Sequence, residues 1–371
     1  MAVSVVGRFP PPLDGQSIAT RRLASLLSEQ VKVETFDLNP GGEAFVQSRV
    51  RFRPGAALHF ARTGRRLRRW LAERTEAPVL WTGTSASPLG HFRDALTIAP
   101  ALARAERAYG VVHHGGFADL FASSLTRGSA RRLVSGLAGV VFLSETLAER
   151  AAPWVPREKR LVVPNTIDDA LIPSAAELEA KRAEHEARDT LQILFFSHMI
   201  PSKGYLDVVR ALGILRERGV DARADFVGRW DSEAGREAFD RAVREAGVEA
   251  HVTHHGGVSD RETARAHYLG ADVFCLPTTY PTEAQPLTII EALAAGCPVA
   301  VTPHASLPEM VDEGRSGAFA PAHDPAALAD AIERLAADWP ARSRDARARF
   351  EAAFAPDVVR ARWLSLLGLG T

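Results

Sequence analysis

The sequence predicts an α/β protein of two doubly wound domains, and three observations carry that expectation. Short apolar runs alternate with longer amphipathic ones, the pattern of parallel sheets covered by helices. The alternation pauses once, over the polar stretch SAAELEAKRAEHEARD at 174–189. The chain of 371 residues also exceeds what one hydrophobic core usually organises.

In the first half the expected strands are VSVVG, VKVETF, PVLWTG, YGVVHH, GVVFLS and RLVVP. Helices are expected near Ile18–Glu29, Ala61–Glu73, Phe92–Arg107 and Glu145–Ala152. The charge alternation of 174–189 reads as a solvated helix or linker. A second series then runs LQILFFS, a helix from about Lys203 to Arg218, RADFVG, a helix over Glu233–Ala246, HVTHHG, ADVFCLP, a helix over Leu287–Ala295, and PVAVT. Asp324-Pro325 signals another helix, with a good N-cap and proline at the first helical position. The segment Asp357–Leu367, carrying Trp363, is amphipathic. The expected domains are 1–170 and 190–345, joined by a linker over 171–189, with a C-terminal helix over about 346–371 returning to the first. Ligands of such sheets sit beyond the carboxyl ends of the strands. A cleft between the domains is therefore the expected active site.

Composition narrows the partners. Hydrophobic residues make up 46 % and charged residues 24 %, a globular profile. Lys plus Arg equals Asp plus Glu at 45 each, so no global charge steers the chain to nucleic acid. Between Arg49 and Arg74 stand nine arginines and one acidic residue, Glu73. The plain reading is a solvated helix face with arginine stems over apolar surface; the sharper one is docking on an anionic membrane or phosphorylated acceptor. Cys275 and Cys297 lie in apolar runs, as buried thiols of a reducing compartment do. The N-terminus lacks a signal-peptide pattern, and no apolar window suits a membrane span. The expected location is cytoplasmic, with peripheral contact at the inner membrane face as the sharper alternative.

The most informative segment is CLPTTYPTEAQPLTIIEALAAGCPVAVT. A strand ends near Leu276, a loop follows, and a helix starts at Leu287–Thr288 with Glu291 expected in its first turn. First-turn amides lack intrahelical acceptors and carry partial positive charge, which makes a seat for a diphosphate. Pro286 has no N–H, so the available donors are the amides of Ala284, Gln285, Leu287 and Thr288. Glu283 can accept from sugar hydroxyls and Glu291 from a ribose diol. Thr288-x-x-Glu291 is equally a capping box, and so is Ser306-x-x-Glu309.

This segment resembles the E-x7-E region of retaining GT-B glycosyltransferases, family 4. Glu283 and Glu291 match the two glutamates, and the sequence from Gly296 through Ile332 continues the likeness. The resemblance implies that Glu283 contacts the donor sugar, Glu291 the nucleotide ribose, and the amides between them the sugar and diphosphate. It implies a GT-B fold: two Rossmann-like domains facing a central cleft, acceptor-binding over 1–170 and donor-binding over 190–345. SHMIPSKGYLDVV resembles the family's donor loop. Lys203 matches its pyrophosphate lysine, and His198 stands where an arginine is common. GRFPPPLDGQSIATRRL lacks a dinucleotide fingerprint and resembles the N-terminal loop, whose glycine is Gly15 here. In VVHHGGFADLF, His114 matches a histidine that approaches the donor sugar. Adjacent histidines on a strand point to opposite faces, which disfavours metal on His113 and His114. VVPNTIDD resembles the P-N-G-x-D hinge, with Thr166 for glycine. No Asp-x-Asp ends a strand, and the resemblance makes His251, His254 and His255 part of a loop abutting the base. Metal-independent transfer without a cofactor is expected.

The implied activity is hexosyl transfer with retention from a nucleotide-sugar, UDP- or GDP-linked, to a hydroxyl of a glycan, lipid-linked or small-molecule acceptor. His114, Lys203 and Glu283 would be the catalytic group. The alternatives are an epimerase, a phosphorylase, or a non-catalytic nucleotide-sugar-binding protein.

Overall fold

The computed structural model describes residues 2–11, 15–39, 54–85 and 87–370. The chain divides into two compact units, 1–165 with 359–371 and 166–358. Each holds one six-stranded parallel sheet.

In the first unit the strands are β1 (Ala2–Gly7), β2 (Lys32–Asp37), β3 (Val79–Trp81), β4 (Ala108–Val111), β5 (Gly139–Phe142) and β6 (Arg160–Val162). Their order is β2-β1-β3-β4-β5-β6. The second unit has β7 (Leu191–Phe196), β8 (Ala222–Val227), β9 (Val252–His254), β10 (Val273–Leu276), β11 (Val299–Val301) and β12 (Gly317–Phe319). Their order is β12-β11-β10-β7-β8-β9. Parallel strands covered on both faces read as unbroken apolar runs, and VFCL of β10 is buried throughout. The order reverses between β1 and β3 in the first sheet and between β7 and β10 in the second. Such switch points open a crevice beyond the strand ends.

Four expectations are corrected. The stretch expected as a linker over 171–189 is mostly the helix Ala175–Glu186 of the second unit. Ser174 and Glu177 form a reciprocal capping box at its start. One of its charged side chains turns inward: Lys181 Nζ donates to the carbonyls of Tyr268 (2.9 Å) and Ala295 (3.0 Å). The buried Asp272 accepts from His185 Nδ1, Arg188 and the Gln192 amide. The return to the first unit begins at Val359 rather than near 346, because the helix Trp339–Ala353 belongs to the second. Within the first unit Val359, Trp363, Leu364 and Leu367 of the closing helix pack against Val3, Leu27 and Val111. The helix expected over Phe92–Arg107 is two, Pro88–Thr97 and Ala99–Leu102. Pro100 cannot donate a helical hydrogen bond and breaks the run. Finally, β12 and the helices Arg127–Ser135 and Arg261–Gly270 were not anticipated.

Candidate active site

Two loops leave the switch point of the second sheet. One, 197–204, follows β7; the other, 277–286, follows β10 and enters the helix Leu287–Ala294. They are stitched together. The Thr279 amide donates to the Ser202 carbonyl at 2.7 Å. Gly204 has φ +85°, and a Cβ there would lie 2.3 Å from the Pro277 carbonyl oxygen. Only glycine meets both the left-handed backbone and the close approach.

This brings Lys203 onto Glu283. Nζ lies 2.6 Å from Oε2, with the lysine side chain 13 % and the glutamate 8 % exposed. The buried Thr278 hydroxyl donates to the same oxygen at 3.1 Å, and Nζ stands 4.7 Å over the Tyr280 ring. Beside the pair the helix begins with Pro286 as its N-cap and no side-chain cap. Among the described residues, no main-chain carbonyl accepts from the amides of Ala284, Leu287 or Thr288. Anion-seeking amides, a lysine and a carboxylate thus share one crevice, which suits a phosphorylated sugar compound.

Glu291 falls one residue past the first turn and caps nothing: Thr288 is already the second helical residue, and the expected box does not form. Glu291 Oε2 instead accepts from the Tyr268 hydroxyl at 2.6 Å. Burial raises the Glu291 carboxyl above its ordinary value, opposed by that hydroxyl and then by Arg261. The box expected at Ser306 and Glu309 also fails, since the Ser306 hydroxyl donates to the Ala284 carbonyl. That bond holds the amide-bearing loop from behind. Gln285 is buried and His198 exposed.

The histidines of HVTHHG part company. His254 Nε2 bonds to the Gly228 carbonyl at 2.9 Å, its ring against Trp230. His255 meets Asp225 at 2.9 Å and groups with His267 instead.

In the first unit, Gly15 opens the helix Gly15–Ser28 with no atom near its missing side chain. The next residue, Gln16, was not anticipated; it takes Arg8 on Oε1 and donates to the Thr82 carbonyl at 2.6 Å. His113 and His114 follow β4, and among the described residues their buried ring nitrogens have no hydrogen bond of good geometry. Burial lowers both pKa values to about 4; the Thr84 backbone and Asp119 only partly offset it for His114. Thr166, at the hinge-like turn, has no left-handed backbone and donates to the Phe354 carbonyl at 2.7 Å. Of the basic run, Arg49, Arg51 and Arg53 lie outside the described residues. Arg62, Arg65, Arg66, Arg68 and Arg69 are exposed on the helix Pro54–Ala72, whose Trp70 packs on Phe36.

Fold and site together describe a two-unit α/β protein with a lysine–glutamate pair and a helix start at the switch point of its second sheet. Residues 177–352 match the family model of glycosyl transferases group 1. A GDP-mannose-dependent alpha-(1-6)-phosphatidylinositol monomannoside mannosyltransferase of Mycobacterium tuberculosis is 28 % identical over 280 residues, covering 74 % of this chain and 70 % of that one. A D-inositol 3-phosphate glycosyltransferase of Paenarthrobacter aurescens is 33 % identical over 151 residues, 40 % of this chain and 36 % of that one. Among solved structures, sucrose-phosphate synthase of Thermosynechococcus elongatus superposes with TM-score 0.75 at 18 % identity, covering 99 % and 98 % of the two chains. Anabaena HepE, in complex with UDP and glucose, gives 0.70 at 16 % identity over 99 % of each. Residues 177–352 thus resemble the glycosyl transferases group 1, and the fold is the GT-B fold of the solved structures.

Proposed function

We propose that this chain is a glycosyltransferase that moves a hexose, with retention, from a nucleotide-sugar to an acceptor hydroxyl. The observation that supports it most is the unpaired amides of Ala284, Leu287 and Thr288 beside the Lys203–Glu283 pair. A diphosphate on those amides would meet Lys203, whose ammonium has three donors and can hold Glu283 and a phosphate oxygen together. Glu283 would accept from sugar hydroxyls, and Glu291 from the ribose diol.

In the chemical step the leaving phosphate gains charge where the amides and Lys203 already point. The same phosphate would take the acceptor hydroxyl's proton on the face it leaves, with no protein nucleophile. His114, neutral at pH 7 by its lowered pKa, would position the sugar by hydrogen bonding. Because one relative is named as using GDP-mannose on a phosphatidylinositol mannoside, GDP-mannose is the first donor to test and an inositol-bearing lipid the first acceptor. The exposed arginines of Pro54–Ala72 suit contact with an anionic lipid surface.

The test is a thermal-shift panel of UDP, GDP, ADP and dTDP with their common sugars. A ligand at 100 times its dissociation constant stabilises by about 2.7 kcal/mol. No shift with any of them would refute a nucleotide-sugar site. Lys203→Ala and Glu283→Ala enzymes that both transfer within a few-fold of wild type would refute the assigned roles.

A further inference from the structure

The hydroxyl of Tyr268 touches neither phosphate seat nor sugar carboxylate, yet it spends its hydrogen bond on Glu291. We infer that Tyr268 is a positioning residue for nucleoside recognition: it holds one oxygen of Glu291 so that the other is presented to a ribose diol. This rests on the donor reading above.

The tyrosine is held on every side. Its ring stacks on Phe196, with centroids 5.3 Å apart and planes 10° from parallel, and meets Phe274 at 6.0 Å. Its carbonyl accepts from Lys181 Nζ at 2.9 Å and from Cys297 Sγ at 3.0 Å. Its helix, Arg261–Gly270, is capped by Asp260, which accepts from the Thr263 amide at 2.7 Å. A hydroxyl on so fixed a frame cannot follow Glu291, so Glu291 must follow it.

Glutamate carries three side-chain torsions, and an unanchored carboxylate at a surface opening samples several of their wells. The O–H···O contact of 2.6 Å is in the range of charge-assisted hydrogen bonds. Part of the Glu291 side chain remains exposed, so a ligand can reach it. Among the described residues its one hydrogen bond is on Oε2. Oε1 is left to accept from outside. The hydroxyl also favours the ionised carboxyl against the burial that raises its pKa, and an ionised carboxylate accepts without offering a competing proton.

A merely structural role would be satisfied by any partner for a buried phenol. The two roles separate with Tyr268→Phe, which keeps the stack on Phe196 and removes only the hydroxyl. Calorimetric titration would compare wild type, Tyr268→Phe, Glu291→Gln and the double variant, with UDP and GDP and their 2′,3′-dideoxy forms. The expected result is about a tenfold loss of ribonucleotide affinity in Tyr268→Phe, the size of one hydrogen bond to a charged group. Dideoxy affinity should be nearly unchanged, and the double variant no weaker than Glu291→Gln alone. Equal losses for both nucleotide forms, no loss, or additive effects of the two substitutions would overturn the inference while leaving the donor reading intact. A wild-type chain that binds none of the nucleotides would overturn the donor reading, and the inference with it.

Discussion

Replacing Lys203 by alanine should destabilise the second unit before any effect on turnover is considered. The Lys203–Glu283 pair is shut in, at 13 % and 8 % side-chain exposure and 2.6 Å separation. Removing one partner of a buried pair leaves an uncompensated charge and costs about 3–5 kcal/mol. The Thr278 hydroxyl remains on Glu283, which places Lys203→Ala at the lower end, about 3 kcal/mol. Glu283→Gln leaves the ammonium over the Tyr280 ring, a contact worth roughly 0.5–2 kcal/mol, so its cost should be similar. At roughly 2–4 °C per kcal/mol for units of this size, each single variant should melt roughly 6–12 °C lower. The double variant Lys203→Met/Glu283→Gln carries no buried charge and should return to within about 1 kcal/mol of wild type. Urea melts of wild type, Lys203→Met, Glu283→Gln and this double variant complete a double-mutant cycle. Single costs below about 1 kcal/mol that simply add would show that the pair is not buried in solution.

Four further outcomes are expected. His113 and His114 titrate near 4 in the fold against 6.5 when unfolded. The unfolded chain therefore binds their protons first, and stability falls between about pH 6.5 and 4 by up to about 3 kcal/mol per histidine; His114→Asn should remove its share of that slope in melts at pH 7 and 5. Asp94 behaves oppositely: burial lifts it to about 6 against 3.8, so the stability present below pH 3.8 is lost as pH rises through 6. Asp94→Asn should raise the melting temperature at pH 8 and not at pH 4. Gly204→Ala should lower stability by more than 1 kcal/mol, about what a left-handed backbone alone costs, and should weaken nucleotide binding, because its Cβ would press the Pro277 carbonyl; calorimetry with UDP or GDP checks this. Finally, sedimentation with vesicles should show binding to anionic but not zwitterionic lipid, weakened by Arg65→Glu/Arg69→Glu on the exposed face; equal binding to both lipids would remove the membrane reading.

The central strands were legible because both of their faces are covered. Strands such as VVF in β5 or VFCL in β10 have no solvent side to interrupt them with polar residues. Where that condition weakens, so does the signal. β12 is three residues beginning with glycine, too short for a run. The helix Trp339–Ala353 buries Trp339, Ser343, Ala346 and Phe350, one residue per turn; Ser343 and Ala346 are too small to register as an apolar stripe against four arginines. The helix Ala175–Glu186 was read as solvated because its charges alternate. The partners of Lys181 and His185, the Tyr268 carbonyl and Asp272, lie 87 residues away, and no local pattern reports such a partner.

The same limit shaped the site. Lys203 and Glu283 could each be nominated from its own loop, but their pairing follows from β10 lying against β7, a strand order that alternation does not encode. Tyr268 belonged to no motif. Glu291 was misread as a possible cap because Thr288-x-x-Glu291 has the right spacing, whereas Pro286 starts the helix two residues earlier. The pairing changes what the site does with its charge. Two groups assigned to different parts of a donor, phosphate for one and sugar for the other, are two halves of one ion pair. Each holds the other in place across a loop junction that Gly204 and the Thr279–Ser202 bond keep close. The cation that would stabilise a leaving phosphate is thus fixed by the carboxylate that would grip the departing sugar. Losses in transfer from the two single substitutions should overlap rather than multiply, since either one releases the other's partner.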